Sequence, residues 1–252
     1  MNKTVKEKII SRLACGEFIS GQEIGEELGI SRAAISKHMK AIGEMGLDVF
    51  SVSGKGYRLA EPLELLDESK IKGYLDNLGR STEIDVFGVI DSTNDYLLRK
   101  LPNSLSLGQV CIAEYQSSGR GRRGRKWISP YGVNAYLSMY WNIEQGMSAA
   151  MGLNVVAALA VCTAIEKEYK VKAQLKWPND IYLNGVKLAG ILIDLEGQAL
   201  EPCHCVIGIG LNLNMPKSSG KSVDQPWTTL SQHIPSHIDR NKLVASIIQE
   251  LT

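Results

Sequence analysis

Net charge is nearly absent from this 252-residue sequence. Its 28 lysines and arginines stand against 27 acids, leaving +1 with histidine neutral. No global basic field is available for nucleic acid, so any polyanion must be met by local clusters. No run reads as approaching the ~20 apolar residues of a membrane span, so no membrane partner is expected. The N-terminus, MNKTVKEKII, lacks both the apolar core and the small-residue cleavage site of a signal peptide. Cysteines are few, odd in number and scattered: Cys15, Cys111, Cys162, Cys203 and Cys205. They read as reduced, mostly buried thiols of a cytoplasmic protein. What is present, 44% hydrophobic and 22% charged residues, is ordinary globular composition. The length suits one large domain or two smaller ones.

Two candidate metal motifs fall away. Cys203-His204-Cys205 lies in a run that reads as a strand, where successive side chains point to opposite faces and no second cysteine cluster completes four ligands. His233 and His237 are four apart, but Pro235 opposes the helix that would align them.

Residues 1–65 read as a winged helix-turn-helix. Val5, Ile9, Ile10 and Leu13 make a helical stripe ending near Gly16. Ser20 caps a second helix, with Glu23 placed for a capping box. Gly29 ends it and Ser31 caps a third, whose buried stripe is Ile35, Met39 and Ile42. Two short helices joined by a tight turn, then two strands around Ser53-Gly54-Lys55-Gly56, form the pattern. Ser31, Arg32, Ser36, Lys37 and Lys40 lie off the apolar stripe and Lys55 tips the wing. Short polar residues there suit base edges, and the cations suit phosphates.

EPLELL (61–66) reads as a linker. Residues 66–252 alternate helices and strands: a helix over 67–78, a strand over 84–90, a capped helix from DSTNDYLLRKL, and strands over 110–115, 135–141 and 205–213. A long buried helix is expected over 149–169. Asn184-Gly185 between apolar runs signals a hairpin. Strands joined partly by hairpins argue for an α+β domain with a mixed sheet.

The chemistry concentrates in four motifs. GRGRRGRKW (119–127) puts three glycines in six residues, a backbone able to approach a ligand closely. Its arginines offer planar donors for carboxylate or phosphate, and Trp127 offers a plane for a base. A solvated basic loop explains the composition equally well. KWPND (176–180) presents Asn179 and Asp180 from a proline bend, suited to fix a ribose, a metal ion or a neighbouring cation; a plain strand-entry turn has the same residues. KLAGIL (187–192) places Lys187 among apolar residues, where burial demands an anionic partner; a substrate acid or phosphate would supply it, and a lysine snorkelling at a strand edge needs none. GIGLN (208–212) lets a strand's backbone lie against a flat ligand. Ser92-Thr93-Asn94, at a helix start, suits a polar ligand or simple capping.

In order and spacing these motifs resemble the biotin protein ligases. With the preceding helix-turn-helix, the chain resembles the bacterial bifunctional biotin ligase/biotin operon repressor family over nearly its whole length. The resemblance implies a catalytic domain like those of class II aminoacyl-tRNA synthetases. It implies biotin and ATP with Mg²⁺ as reactants, biotinyl-5′-adenylate as intermediate, and the biotin carboxyl carrier protein of acetyl-CoA carboxylase as acceptor. It implies operator DNA as a further partner and a homodimer promoted by the adenylate. By matching positions, Ser92, Thr93, Asn94, Gln116, Gly119, Arg120, Gly121, Arg122, Lys187, Gly208 and Gly210 would hold biotin. Lys187, Arg120 and Arg122 would carry catalysis. Trp127, Asn179, Asp180 and Asn212 would meet the nucleotide, with Asp180 helping to place Mg²⁺. The family's small C-terminal β-barrel is not expected here, which leaves a DNA-binding biotin sensor without efficient transfer as the alternative.

Overall fold

The computed structural model describes residues 3–76, 82–198 and 201–252. The backbone divides into two compact units: Met1–Leu65 with Pro130–Gly132, and Leu66–Ser129 with Val133–Thr252.

The first unit contains helices α1 (Val5–Leu13), α2 (Gly21–Leu28) and α3 (Arg32–Glu44) and strands β1 (Val49–Val52) and β2 (Gly56–Leu59). Its core is Ile9, Ile10, Leu13, Ile24, Ile35 and Ile42, each fully buried. Ser20 caps α2 by accepting the Glu23 amide at 3.0 Å. The reciprocal half of the expected capping box does not form, because the Glu23 carboxylate pairs with Arg12 at 3.0 Å. Gly29 ends α2 in the left-handed region (φ 67), which a glycine enters without steric cost. The wing is an antiparallel ladder from Val49↔Leu59 to Val52↔Gly56. Ile19 makes an isolated antiparallel bridge to Tyr57.

The second unit runs α4 (Glu68–Asp76), β3 (Ile84–Ile90), α5 (Thr93–Arg99), β4 (Val110–Gln116), β5 (Ala135–Ile143), α6 (Leu153–Tyr169), β6 (Gln174–Lys176), β7 (Asp180–Leu183), β8 (Val186–Glu196), β9 (Cys203–Leu211) and α7 (Arg240–Leu251). Leu78, the expected end of the helix that is α4, lies outside the described residues. The strands form one seven-stranded sheet in the order β3-β4-β5-β9-β8-β7-β6. β3 and β4 are parallel and the other pairings antiparallel, the mixed sheet that the hairpin signals called for. At the β7–β8 hairpin Asn184 (φ 52) and Gly185 (φ 78) are both left-handed, as a type I′ turn requires.

Period-two alternation sorts the central strands into two faces. Ala135, Leu137 and Met139 of β5, Ala189 and Ile191 of β8, and Cys203, Cys205, Ile207 and Ile209 of β9 join α4, α6 and α7 in the main core. On the opposite face, Cys111, Tyr140 and Val206 pack against Leu97 of α5. Burial pushes the Cys205 thiol up to about 12, so it is an inert core thiol. Between the two cysteines, His204 bonds the Tyr140 hydroxyl at 2.9 Å.

The reading of apolar runs needs one correction. Met147–Tyr169 is long and apolar enough, by composition, to cross a bilayer. Ala157, Ala158, Val161, Ala164 and Ile165 of this stretch pack in the main core, so it serves as a core helix. It begins with a 3-10 turn at Met147–Ala150, which delays α6 to Leu153. Its burial is one-sided, with Val156 and Leu159 exposed.

One buried ion pair fastens the layers. Arg240, at the start of α7, donates to Glu114 of β4 at 2.7 Å, with the two side chains 6% and 4% exposed. The same guanidinium donates to the Asn134 carbonyl at 2.7 Å, and Glu114 accepts the Leu66 amide at 2.5 Å. Removing one member leaves the other charge buried without its partner, a loss of about 3–5 kcal/mol. Glu114→Ala is therefore expected to lower the denaturant midpoint by that equivalent. A drop below about 1 kcal/mol, the scale of an exposed pair, would show that water reaches the pair.

Candidate functional site

The site face of the sheet is bare where it matters. Gly190 of β8 sits directly across from Gly210 of β9, and Leu192 across from Gly208. A Cβ on Gly208 would overlap the Asn94 side-chain oxygen, and one on Gly210 would overlap the Trp127 indole. Asn94 and Trp127 take that space, and with the glycines they line a cavity of about 680 Å³.

One end of the cavity is the start of α5. Ser92 caps the helix by accepting the Asp95 amide. The Thr93 amide and hydroxyl both donate to Gln116 Oε1, at 2.9 and 3.1 Å, and Gln116 Nε2 donates to Ser129 at 3.0 Å. Asn94 donates to the Leu192 carbonyl at 3.3 Å and to Asp194 Oδ2 at 2.8 Å. Its oxygen accepts from Ser138 at 2.5 Å. Ser92, Thr93, Asn94 and Ser138 are all nearly fully buried. This is a polar wall with fixed side-chain orientations.

The arginine loop forms the adjoining wall. It folds on itself through Gly121 N–H to the Arg125 carbonyl (2.7 Å) and Trp127 N–H to the Gly119 carbonyl (2.8 Å). Arg123 (φ 57) and Gly124 (φ 73) turn it in the left-handed region. Gly119 lies behind the cavity: a Cβ there would meet the Trp127 carbonyl at 2.5 Å. Arg120 reaches Asp95 at 2.7 Å and Asp194 at 2.6 Å. Burial works against its charge, and the two carboxylates outweigh it, raising the guanidinium's pKa. Arg122 donates to Asn179 at 2.7 Å. The Trp127 indole lies over Gly190 and Gly210, and its N–H is buried without a partner.

The far end is set by KWPND and Lys187. Asn179 Nδ2 is anchored to the Ile191 carbonyl at 3.0 Å. Lys187 pairs with Asp180 at 2.9 Å, the two side chains 12% and 22% exposed. The anion expected for Lys187 from a ligand is thus supplied by the chain itself. The lysine also sits 5.7 Å from the Trp127 ring centre. Asn212 lines this cavity and its oxygen faces Asn134 at 3.5 Å. Among the described residues no cluster of three or more His, Cys, Asp or Glu side chains is placed to hold a metal ion.

Every sequence-derived ligand residue in this unit except Gly119 lines this one cavity. Sequence reasoning missed Asp95, Asp194, Ser129 and Ser138. Ser138 and Asp194 carried a readable signal, a polar residue inside an apolar strand, the same signal that singled out Lys187. In the other unit, Ser31 caps α3 by accepting the Ala34 amide. Arg32, Ser36, Lys37, Lys40 and Lys55 are exposed. The sequence also missed Arg58 of β2, whose guanidinium lies 4.9 Å from the Phe18 ring and 5.5 Å from the Phe50 ring.

Comparison with known proteins gives these features a context. The model of the biotin/lipoate A/B protein ligase family matches residues 86–212, and an HTH domain model matches residues 5–58. The bifunctional ligase/repressor BirA of Escherichia coli (strain K12) is 48% identical over 250 residues, covering 99% of this chain and 76% of that protein. Its namesake in Bacillus subtilis (strain 168) is 32% identical over 251 residues, covering 98% and 77%. Among solved structures, the biotin protein ligase from Aquifex aeolicus in complex with biotin and ATP aligns with a TM-score of 0.55 at 29% identity. That alignment covers 67% of this chain and 68% of that one.

The glycine floor is directly testable. Gly210→Ala is expected to displace the Trp127 indole toward water and shift its fluorescence to the red. The same substitution in a Trp127→Phe background is expected to show no shift. Equal spectra in both backgrounds would place the indole elsewhere.

Proposed function

The chain belongs to the biotin/lipoate A/B protein ligase family and is a biotin ligase bearing a helix-turn-helix domain; from that premise we propose the two-step reaction it carries out and its regulation. The biotin carboxylate attacks the α-phosphorus of ATP, pyrophosphate leaves, and biotinyl-5′-adenylate forms. The neutral amine of a lysine on the biotin carboxyl carrier protein of acetyl-CoA carboxylase then attacks the acyl carbon, and AMP leaves. The reading rests on one observation: a single cavity gathers the polar start of α5, Gln116, the four loop arginines, Lys187 and the Asn179–Asp180 pair.

On this reading Ser92, Thr93, Asn94 and Gln116 hold the biotin head, whose flat rings lie against Gly208 and Gly210. The acyl end then points to Arg120, Arg122 and Lys187. Adenylation builds negative charge on phosphate oxygens, and cations fixed beforehand stabilise it without reorganisation at the moment of reaction. Lys187 is fixed in this way by Asp180. Trp127 must leave its glycine slot to stack on adenine. Its unpartnered N–H favours that exchange, because burying an unsatisfied donor costs about 1–3 kcal/mol. Mg²⁺ is typically held by one or two carboxylates together with substrate phosphates. Asp180, whose carboxylate also holds Lys187, would supply one carboxylate, and the ion would arrive with the nucleotide. The arginine loop over the mixed anhydride would keep water out.

Repression follows by linkage. If the adenylate favours a form of the chain that pairs better with a second copy, it promotes homodimers by that difference in affinity. Two copies of α3, with Arg32, Ser36, Lys37 and Lys40, then meet two operator half-sites in the cytoplasm. Ser31 opens the same face, and Lys55 reaches the backbone from the wing.

Two measurements check this. Transfer of labelled biotin to carrier protein, with ATP and Mg²⁺, is expected from the intact chain. Lys187→Ala is expected to slow adenylate formation about 10²–10³-fold, the usual cost of one transition-state donor. Adenylate formation without transfer would leave a biotin sensor on DNA. For the operator, Lys37→Ala and Lys40→Ala are each expected to lower the slope of log affinity against log salt by about one. An unchanged slope would remove α3 from the DNA face.

A further inference from the structure

Arg120 sits between two glycines, where a side chain would ordinarily be poorly fixed. Instead it is held from two elements. Its Nη2 meets Asp194 Oδ2 of β8 at 2.6 Å and Asp95 Oδ1 of α5 at 2.7 Å, with Nη1 at 3.4 Å from Asp194 Oδ1. Asp194 Oδ2 also accepts from Asn94 at 2.8 Å. Asn94 in turn fits only because Gly208 has no side chain. A continuous chain of contacts thus runs from the glycine floor, through Asn94 and Asp194, to the loop arginine and back to α5 at Asp95. None of the motifs that mark the family in this sequence contains either carboxylate.

The charges count against a simple attractive role for Arg120. One cation lies between two anions, so the triad carries a net −1 before any substrate binds and weakly repels an acid. What the carboxylates supply is orientation. They occupy the outer nitrogens and leave the Arg120 Nε–H buried and without an acceptor. That unspent donor gains an acceptor when an acyl oxygen arrives.

We propose that Asp194, with Asp95, is a positioning residue: the pair fixes Arg120 so that its free donor meets the acyl end of the substrate acid, and Asp194 couples that geometry to Asn94, which shares its Oδ2. This rests on the ligase reading above. Charge and position predict opposite signs for one isosteric change. Asp194→Asn makes the site more positive by one unit. If Arg120 acts only through charge, the variant binds the biotin anion more tightly. If position decides, it binds more weakly.

The test is pyrophosphate release at saturating ATP and Mg²⁺ with biotin titrated, using the full chain and checking each variant's melting temperature. The KM for biotin in Asp194→Asn is expected to rise on the order of tenfold, the worth of one charge-assisted hydrogen bond. Asp95→Asn, which loses contact with one nitrogen only, is expected to raise KM less, and Asp194→Glu to recover part of the loss. A KM that stays constant or falls in Asp194→Asn overturns the proposal. If that variant does not fold, Asp95→Asn decides by the same sign. A wild-type chain that releases no pyrophosphate defeats the ligase reading itself, and the proposal with it. Wild-type turnover with unmoved KM values defeats the proposal alone.

Discussion

The alternation of side chains along β8 and β9 is the constraint from which the rest follows. Odd positions such as Ile191, Ile207 and Ile209 belong to the core. Even positions, Gly190, Gly208 and Gly210, form the floor of the cavity. A one-residue slip in register would turn isoleucine into the site and glycine into the core, so neither face tolerates it. Strong packing on one face thus fixes ligand geometry on the other. The rigid scaffold and the open floor are consequences of the same ladder.

On that floor, the polar residues act as a connected system. The start of α5 is tied to β4 through Gln116, to β5 through Ser138 and to β8 through Asp194. The arginine loop is tied to β8 and α5 through Arg120, and to the β6–β7 turn through Asn179. Each cation that chemistry would use at phosphate or carboxylate already has an oxygen partner in the chain. The site is organised in advance, and substrate oxygens exchange with protein ones. That exchange lowers the reorganisation cost of catalysis at some expense in ground-state affinity.

Much of this was legible in the sequence. Hydrophobic periodicity and capping residues located the helices of the first unit, and Asn184-Gly185 located the β7–β8 hairpin. The glycine-arginine loop and KWPND flagged adjoining walls of one cavity although their starting points, at 119 and 176, lie 57 residues apart along the chain. What stayed hidden depended on three-dimensional partnership. Asp180 was legible as an acid able to fix a neighbouring cation, but nothing local named Lys187, seven positions later, as that cation; antiparallel pairing of β7 with β8 brings them together. Asp95 drew no reading, since an acid is ordinary in a helix's first turn. Glu23 looked like half of a capping box, and a long-range arginine won its carboxylate. In each case the deciding partner lay outside the local sequence.

The bare floor has a consequence for changing what the site accepts. Pockets are usually widened by trimming side chains, and at Gly190, Gly208 and Gly210 nothing is left to trim. Any substitution there drives a Cβ against Trp127 or Asn94. Room for a bulkier acid must come from the opposite wall, where the arginine loop and Trp127 stand. That wall also carries the cations. Selectivity and reactivity are therefore coupled by geometry: broadening the substrate range means disturbing the residues closest to the chemistry.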